Sequence, residues 1–136
     1  MNKWKIILVC ILSALQLSAF AANKGKKDKT DEPKRVYMYG VSIDFNDSTV
    51  YVTDVQYLDS IVVAPDGSIP NHYNYSLQMK VYTEGTLGEY NQTCAIVYSD
   101  KKKNLEKRFL KTIKKYQTDE SKILKRIGTD AFKFHK

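Results

Sequence analysis

This sequence is poor in the residues that usually carry chemistry. Its 136 residues include two cysteines, three prolines, six glycines, one tryptophan and two histidines. Cys10 lies inside an N-terminal apolar run, which leaves Cys94 alone in the rest of the chain and excludes a scaffold stapled by disulfides. His72, His135 and one cysteine offer none of the short ligand spacings that hold zinc, so neither a metal nor another cofactor is expected. The glycines of EGTLGEY, Gly85 and Gly88, lack the lysine and the strand-to-helix setting of a phosphate-cradling loop. No serine sits in a glycine-flanked elbow. Asp44, Asn46 and Asp47 crowd oxygen ligands together without the glycine and distal glutamate of a calcium loop, and a hairpin turn accounts for them. Enzyme classes with local signatures are therefore disfavoured.

The one long apolar run, Ile6 to Leu17, follows Lys3 and Lys5 and ends in the small residues of SAFAA. It is too short to cross a hydrocarbon layer of about 30 Å as a stable helix, and Ala19 and Ala21 match the small residues that precede a signal-peptidase cut. Residues 1–21 are expected to be a cleaved signal peptide, leaving an exported protein, periplasmic or extracellular, without a transmembrane segment in the mature chain. Val9 is too large to precede a lipid-modified Cys10. The formal charge of +7 drops to about +5 once Lys3 and Lys5 are removed. Residues 22–35 carry no apolar side chain between Asn23 and Arg35, so they cannot offset the entropy of ordering and are expected to be a charged flexible leader. Residues 36–136 are expected to form a single α+β domain.

Tyr37, Tyr39, Val41, Ile43 and Phe45 alternate as one face of a strand, with Val36 and Met38 making the other face only partly polar. Asn46 to Thr49 supplies turn residues before a second β-rich run through Tyr57, which predicts a hairpin. Ile61, Val62 and Val63 form either a third strand or a continuation past a bulge, closed by Pro65-Asp66-Gly67. Residues 73–84 alternate like a strand but are rich in helix formers between Pro70-Asn71 and Gly85, and helix is preferred. Thr93 to Tyr98 reads as a strand buried on both faces. Leu105, Phe109, Ile113 and Tyr116 predict an amphipathic helix over 101–116, capped by Ser99 or Asp100. Ala131 to Phe134 alternates and suggests a final strand, so that strand, helix and strand make a right-handed βαβ unit. The expected architecture is α+β, a two-layer ββαβαβ-like sandwich of one mostly β sheet with two helices on one face.

The stretches YGVSIDFNDSTVYVTDVQYLDS, YSLQ, TCAIVY with its lysine-rich sequel, and DAFKF resemble an uncharacterised family of small exported proteins of Gram-negative bacteria. The resemblance runs from Tyr39 to Phe134. It implies a cell-envelope location and strengthens the helix at 73–84; it carries over no activity and no site residues.

The residues that stand out functionally are cations. Lys101, Lys102, Lys103, Lys107, Arg108, Lys111, Lys114 and Lys115 face Glu106 alone on the expected helix, and three lysines crowd the N-terminal turn, where the helix dipole disfavours them. They read either as a contact surface for an envelope or extracytoplasmic protein, a glycan or an anionic lipid, or as a solvated face. Nucleic acid is not expected for an exported protein. The leading expectation is a non-catalytic binding or accessory module. Alternatives are an envelope enzyme, thiol-dependent or hydrolytic, using Cys94 or the acids Asp44, Asp54 and Asp59, and a structural or assembly subunit. Cys94 within TCAIVY is expected to be buried and unreactive. Among the ten tyrosines, Tyr73, Tyr75 and Tyr90 lie nearest predicted loops and are candidates for stacking on a ligand.

Overall fold

The computed structural model describes residues 31–136, so the expected signal peptide and most of the expected leader lie outside the described residues. Strand β1 spans Glu32–Ile43 and is the spine of the sheet. A tight turn leads into β2 (Thr49–Thr53), and after Asp54 and Val55 the chain continues as β3 (Gln56–Val63). Both pair antiparallel with β1: Val41 faces Val52, Met38 faces Gln56, and Lys34 faces Ile61. The register slips between Lys34 and Val36, opposite Ser60, whose φ of 57° is left-handed. The expected hairpin is thus one long ribbon, and Ile61 to Val63 continues its second arm past a bulge.

Helix α1 follows at Tyr73–Gly85, as preferred over a strand. Strand β4 (Thr93–Ser99) runs antiparallel along the other edge of β1, Tyr39 opposite Val97. Helix α2 (Lys102–Thr118) then crosses to β5 (Ile123–Ile127), which pairs parallel with β2. The result is an α+β fold: a five-stranded mixed sheet with two helices packed on it.

Three expectations are corrected. Glu32 to Arg35 are strand rather than flexible leader, because main-chain pairing to β3 holds these exposed residues and Arg35 grips Asp59 at 2.6 Å. The final strand is Ile123–Ile127, not 131–134. Phe132 and Phe134 are buried as their alternation demands, but the side-chain amide of Gln56 replaces a strand partner, donating to the Phe132 carbonyl and accepting the Phe134 N–H, each at 2.9 Å.

The helices also do not share a face. Side chains alternate along β1, so Tyr39 and Gly40 point to opposite sides. Tyr39 packs with Val50, Val52, Leu105 and Ile113 under α2, whereas Val36 and Met38 pack with Tyr75, Met79, Phe132 and Phe134 under α1. The sheet is sandwiched between the helices in three layers, as a β1 apolar on both faces requires.

Gly40 sits where α1 comes closest to the sheet. A methyl group there would run into the Met79 sulfur and lie 3.2 Å from both Ile96 Cδ1 and Phe134 Cζ. Gly40→Ala is therefore expected to destabilise by about 1–3 kcal/mol, read as a lower urea midpoint at unchanged slope.

Candidate functional site

Lys101 takes the N-cap position of α2 with extended backbone and makes no side-chain cap bond. The hydroxyl of Ser99 accepts the Lys101 N–H at 3.1 Å, so the expected capping serine acts one step ahead of the helix. The first turn of α2 contains no acidic residue. Inward, Leu105 and Ile113 are buried, Phe109 meets the Tyr39 ring edge-on at 5.2 Å, and Thr112 Oγ1 hydrogen-bonds the Tyr39 hydroxyl at 2.9 Å. These contacts fix the rotation of the helix and hence which residues look outward.

At 3.6 residues per turn, Lys103, Lys107, Lys111 and Lys114 fall on the side opposite this buried stripe. All eight expected cations are exposed. Lys101, Arg108 and Lys115 lie toward one flank, where Lys101 and Arg108 also line an open cleft of about 910 Å³ with Lys34. Lys102 lies toward the other flank, 3.7 Å from Glu106. Among the described residues Glu106 is the one carboxylate in ion-pair range of these eight cations. Leu110, 66% exposed, interrupts the lysines with a bare apolar side chain. The structure divides these exposed cations into a stripe of four lysines and two flanks.

The alternative site residues are not brought together. Asp44 caps its own turn, accepting the Asn46 N–H at 2.8 Å. Asp54 is bound to Arg126 beside β5, and Asp59 to Arg35 beside β3. The Arg35 guanidinium holds the Asp59 carboxyl below its ordinary pKa. Each acid is thus committed to a separate local partner, which is not how paired acid/base carboxylates are arranged.

Cys94 is half-buried on the α1 side of the sheet. Its thiol donates to Ser42 Oγ at 3.3 Å, and Ser42 in turn donates to Gln92 Oε1 at 2.6 Å. Burial pushes the thiol pKa up, against what a nucleophile needs. The nearby ammonium of Lys80 is already engaged, 3.2 Å from Glu84 and donating to the Gln92 carbonyl at 2.9 Å. His72 sits by Tyr98, four positions and about 13 Å along β4, while the backbone of His135 is held by Gln78. The group around Cys94 anchors the loop between α1 and β4.

The same loop is held from the sheet by a residue that sequence reasoning did not single out. Buried Tyr51 donates its hydroxyl to Glu89 at 2.8 Å, and burial followed by this bond raises the phenol pKa to about 12. An unfolded tyrosine ionises near pH 10, so the folded state favours the neutral phenol. The stability this difference carries is complete below about pH 10 and disappears as the pH rises toward 12. Absorbance titration at 295 nm is expected to show that Tyr51→Phe removes a late-ionising phenol.

Of the candidate stacking tyrosines, Tyr73 and Tyr90 are exposed, but Tyr75 is buried against Phe134 and cannot stack on a ligand.

No family model, curated protein or solved structure matches this chain. Among the described residues no helix is long and apolar enough to cross a membrane.

Proposed function

We propose that this protein is a small exported, non-catalytic binding or accessory module of the cell envelope that meets an anionic partner through the outer face of α2. The reading rests on one observation: Lys103, Lys107, Lys111 and Lys114 stand in an exposed stripe with no carboxylate in ion-pair range among the described residues. Lysines spaced along a helix present point charges rather than the fixed forks of arginine, which suits a diffuse anionic surface such as a lipid headgroup layer or an acidic glycan. The envelope setting is supported by the charged, apolar, small order of residues 1–21 and by the resemblance to small exported proteins.

Binding to vesicles containing an anionic phospholipid, or to an immobilised sulfated polysaccharide, tests it. Retention is expected at low salt and should fall steeply toward physiological ionic strength. No binding to either probe at low salt overturns it.

A further inference from the structure

We propose that the cleft at the end of β4 binds a short zwitterionic peptide in extended form, which adds to the open edge of β1 with its carboxylate at Arg108 and Lys101 and its ammonium at Glu32 and Asp66. The sheet leaves a strand position vacant there. Pairing between β1 and β4 starts only at Tyr37, opposite Ser99, so among the described residues no strand pairs with Glu32 to Val36 on that side, while β3 holds the other. The main-chain N–H and C=O groups along such an edge are a template for another extended chain. The cleft of about 910 Å³ lies at this edge, and its walls include the turn that follows β3. Val36 and Ile69, both buried, line it together with Ile96 and Tyr98, which suits an apolar side chain of the added strand.

Charge selects the occupant. Six ionic side chains line the cleft: Glu32, Lys34, Asp66, Asp100, Lys101 and Arg108. Lys34 and Asp100 are paired at 3.8 Å and offset each other. The other four divide by position. Glu32 faces Val63 at the end of the ribbon and Asp66 lies in the turn just beyond, whereas Lys101 and Arg108 belong to α2, which starts where β4 stops. Asp66 accepts the Ser68 N–H and hydroxyl on one oxygen, at 2.9 and 2.6 Å, which leaves its other oxygen for a ligand. Among the described residues Glu32, Lys101 and Arg108 have no ion-pair partner. A polyanion would meet two acids here and a polycation two bases, but a chain with one charge of each sign at its ends matches both. Glu32 is five residues from Tyr37, about 17 Å along a strand, which is the span of four or five extended residues. The match also fixes the direction: the carboxylate lies beside α2 and the added strand runs parallel to β1. The guanidinium of Arg108 suits that end because its fork takes both carboxylate oxygens at once. The site is separate from the outer stripe of α2, since none of Lys103, Lys107, Lys111 and Lys114 lines the cleft.

Titration of the isotope-labelled protein with the peptide Ala-Val-Thr-Val-Val, both termini free, followed by two-dimensional NMR, tests this. The amide signals of Lys34, Val36 and Tyr98 are expected to move, with a dissociation constant of about 0.1–1 mM. Amidating the C-terminus of the peptide should weaken binding about tenfold, and acetylating its N-terminus should weaken it severalfold. Arg108→Gln should weaken the free-acid peptide about tenfold and leave the amidated one unchanged. Glu32→Gln should remove the preference for the free amine over the acetylated form. Both side chains are exposed, so each variant is expected to keep the circular dichroism spectrum of the wild type. If Arg108→Gln misfolds, the comparison of free and amidated peptides on the wild type decides. No binding at about 10 mM, equal affinity for the two peptides, or a carboxylate preference unchanged by Arg108→Gln overturns the proposal. The combined Lys103→Gln, Lys107→Gln, Lys111→Gln and Lys114→Gln variant should bind the peptide like the wild type, so peptide binding and polyanion binding are read separately. Loss of peptide binding in that variant would move the contact to the outer stripe and overturn the proposal too.

Discussion

Phe134→Ala is expected to lower folding stability by about 3–5 kcal/mol, the range for truncating a buried phenylalanine. The ring is 4% exposed, meets Phe132 edge-on at 4.9 Å and Tyr75 at 6.1 Å, and closes over Gly40. It sits between a rigid sheet and α1, whose Met79 is wholly buried, so the surroundings can collapse only partly into the space left behind. A domain of this size has a total stability of about 5–15 kcal/mol, so the loss consumes much of it. Urea unfolding followed by circular dichroism measures it directly. A change below about 1 kcal/mol would mean that the C-terminal segment is not part of the core.

Gln56→Leu is expected to cost about 2–6 kcal/mol, although it exchanges one mid-sized side chain for another in a buried position. Gln56 is 8% exposed, and its amide serves the Phe132 carbonyl and the Phe134 N–H at once. Leucine satisfies neither, and each buried main-chain group left unpaired costs about 1–3 kcal/mol. Hydrogen exchange distinguishes this from a packing defect: the Phe134 amide should lose its protection before the β1 amides do. Equal protection in the variant and the wild type would show that the segment is held by its rings alone.

These two residues also mark the limit of what the sequence discloses. The alternation of Phe132 and Phe134 announces burial and is easily taken for a strand, because nothing local reveals that Gln56, far away in the chain, occupies the place of the ladder. Conversely, β5 is a true strand that its own residues conceal: Lys125 and Arg126 are exposed at the sheet edge, and Ile123 is 55% exposed. The opposite placement of the helices was legible in principle. Val36 and Met38 interleave with Tyr37 and Tyr39, a pattern that requires cover on both faces of β1. For the candidate site, the spacing of Leu105, Phe109, Ile113 and Tyr116 settles which way α2 turns, and the exposed lysine stripe follows from it. Within α1, Tyr75 and Met79 are buried while Tyr73, Leu77 and Val81 are exposed, a division that the alternation of these five residues discloses only once the segment is known to be helical.

The account stands or falls on whether the α2 stripe touches an anionic surface. The direct measurement is a titration with anionic vesicles, at low and at physiological salt, of the wild type against a variant carrying Lys103, Lys107, Lys111 and Lys114 all as glutamine. At about 1 kcal/mol per lysine near such a surface, the variant should bind roughly a hundred- to a thousand-fold more weakly at low salt, with a shallower salt dependence and an unchanged unfolding midpoint. Equal affinity of the two proteins would contradict the account and leave the stripe a solvated face.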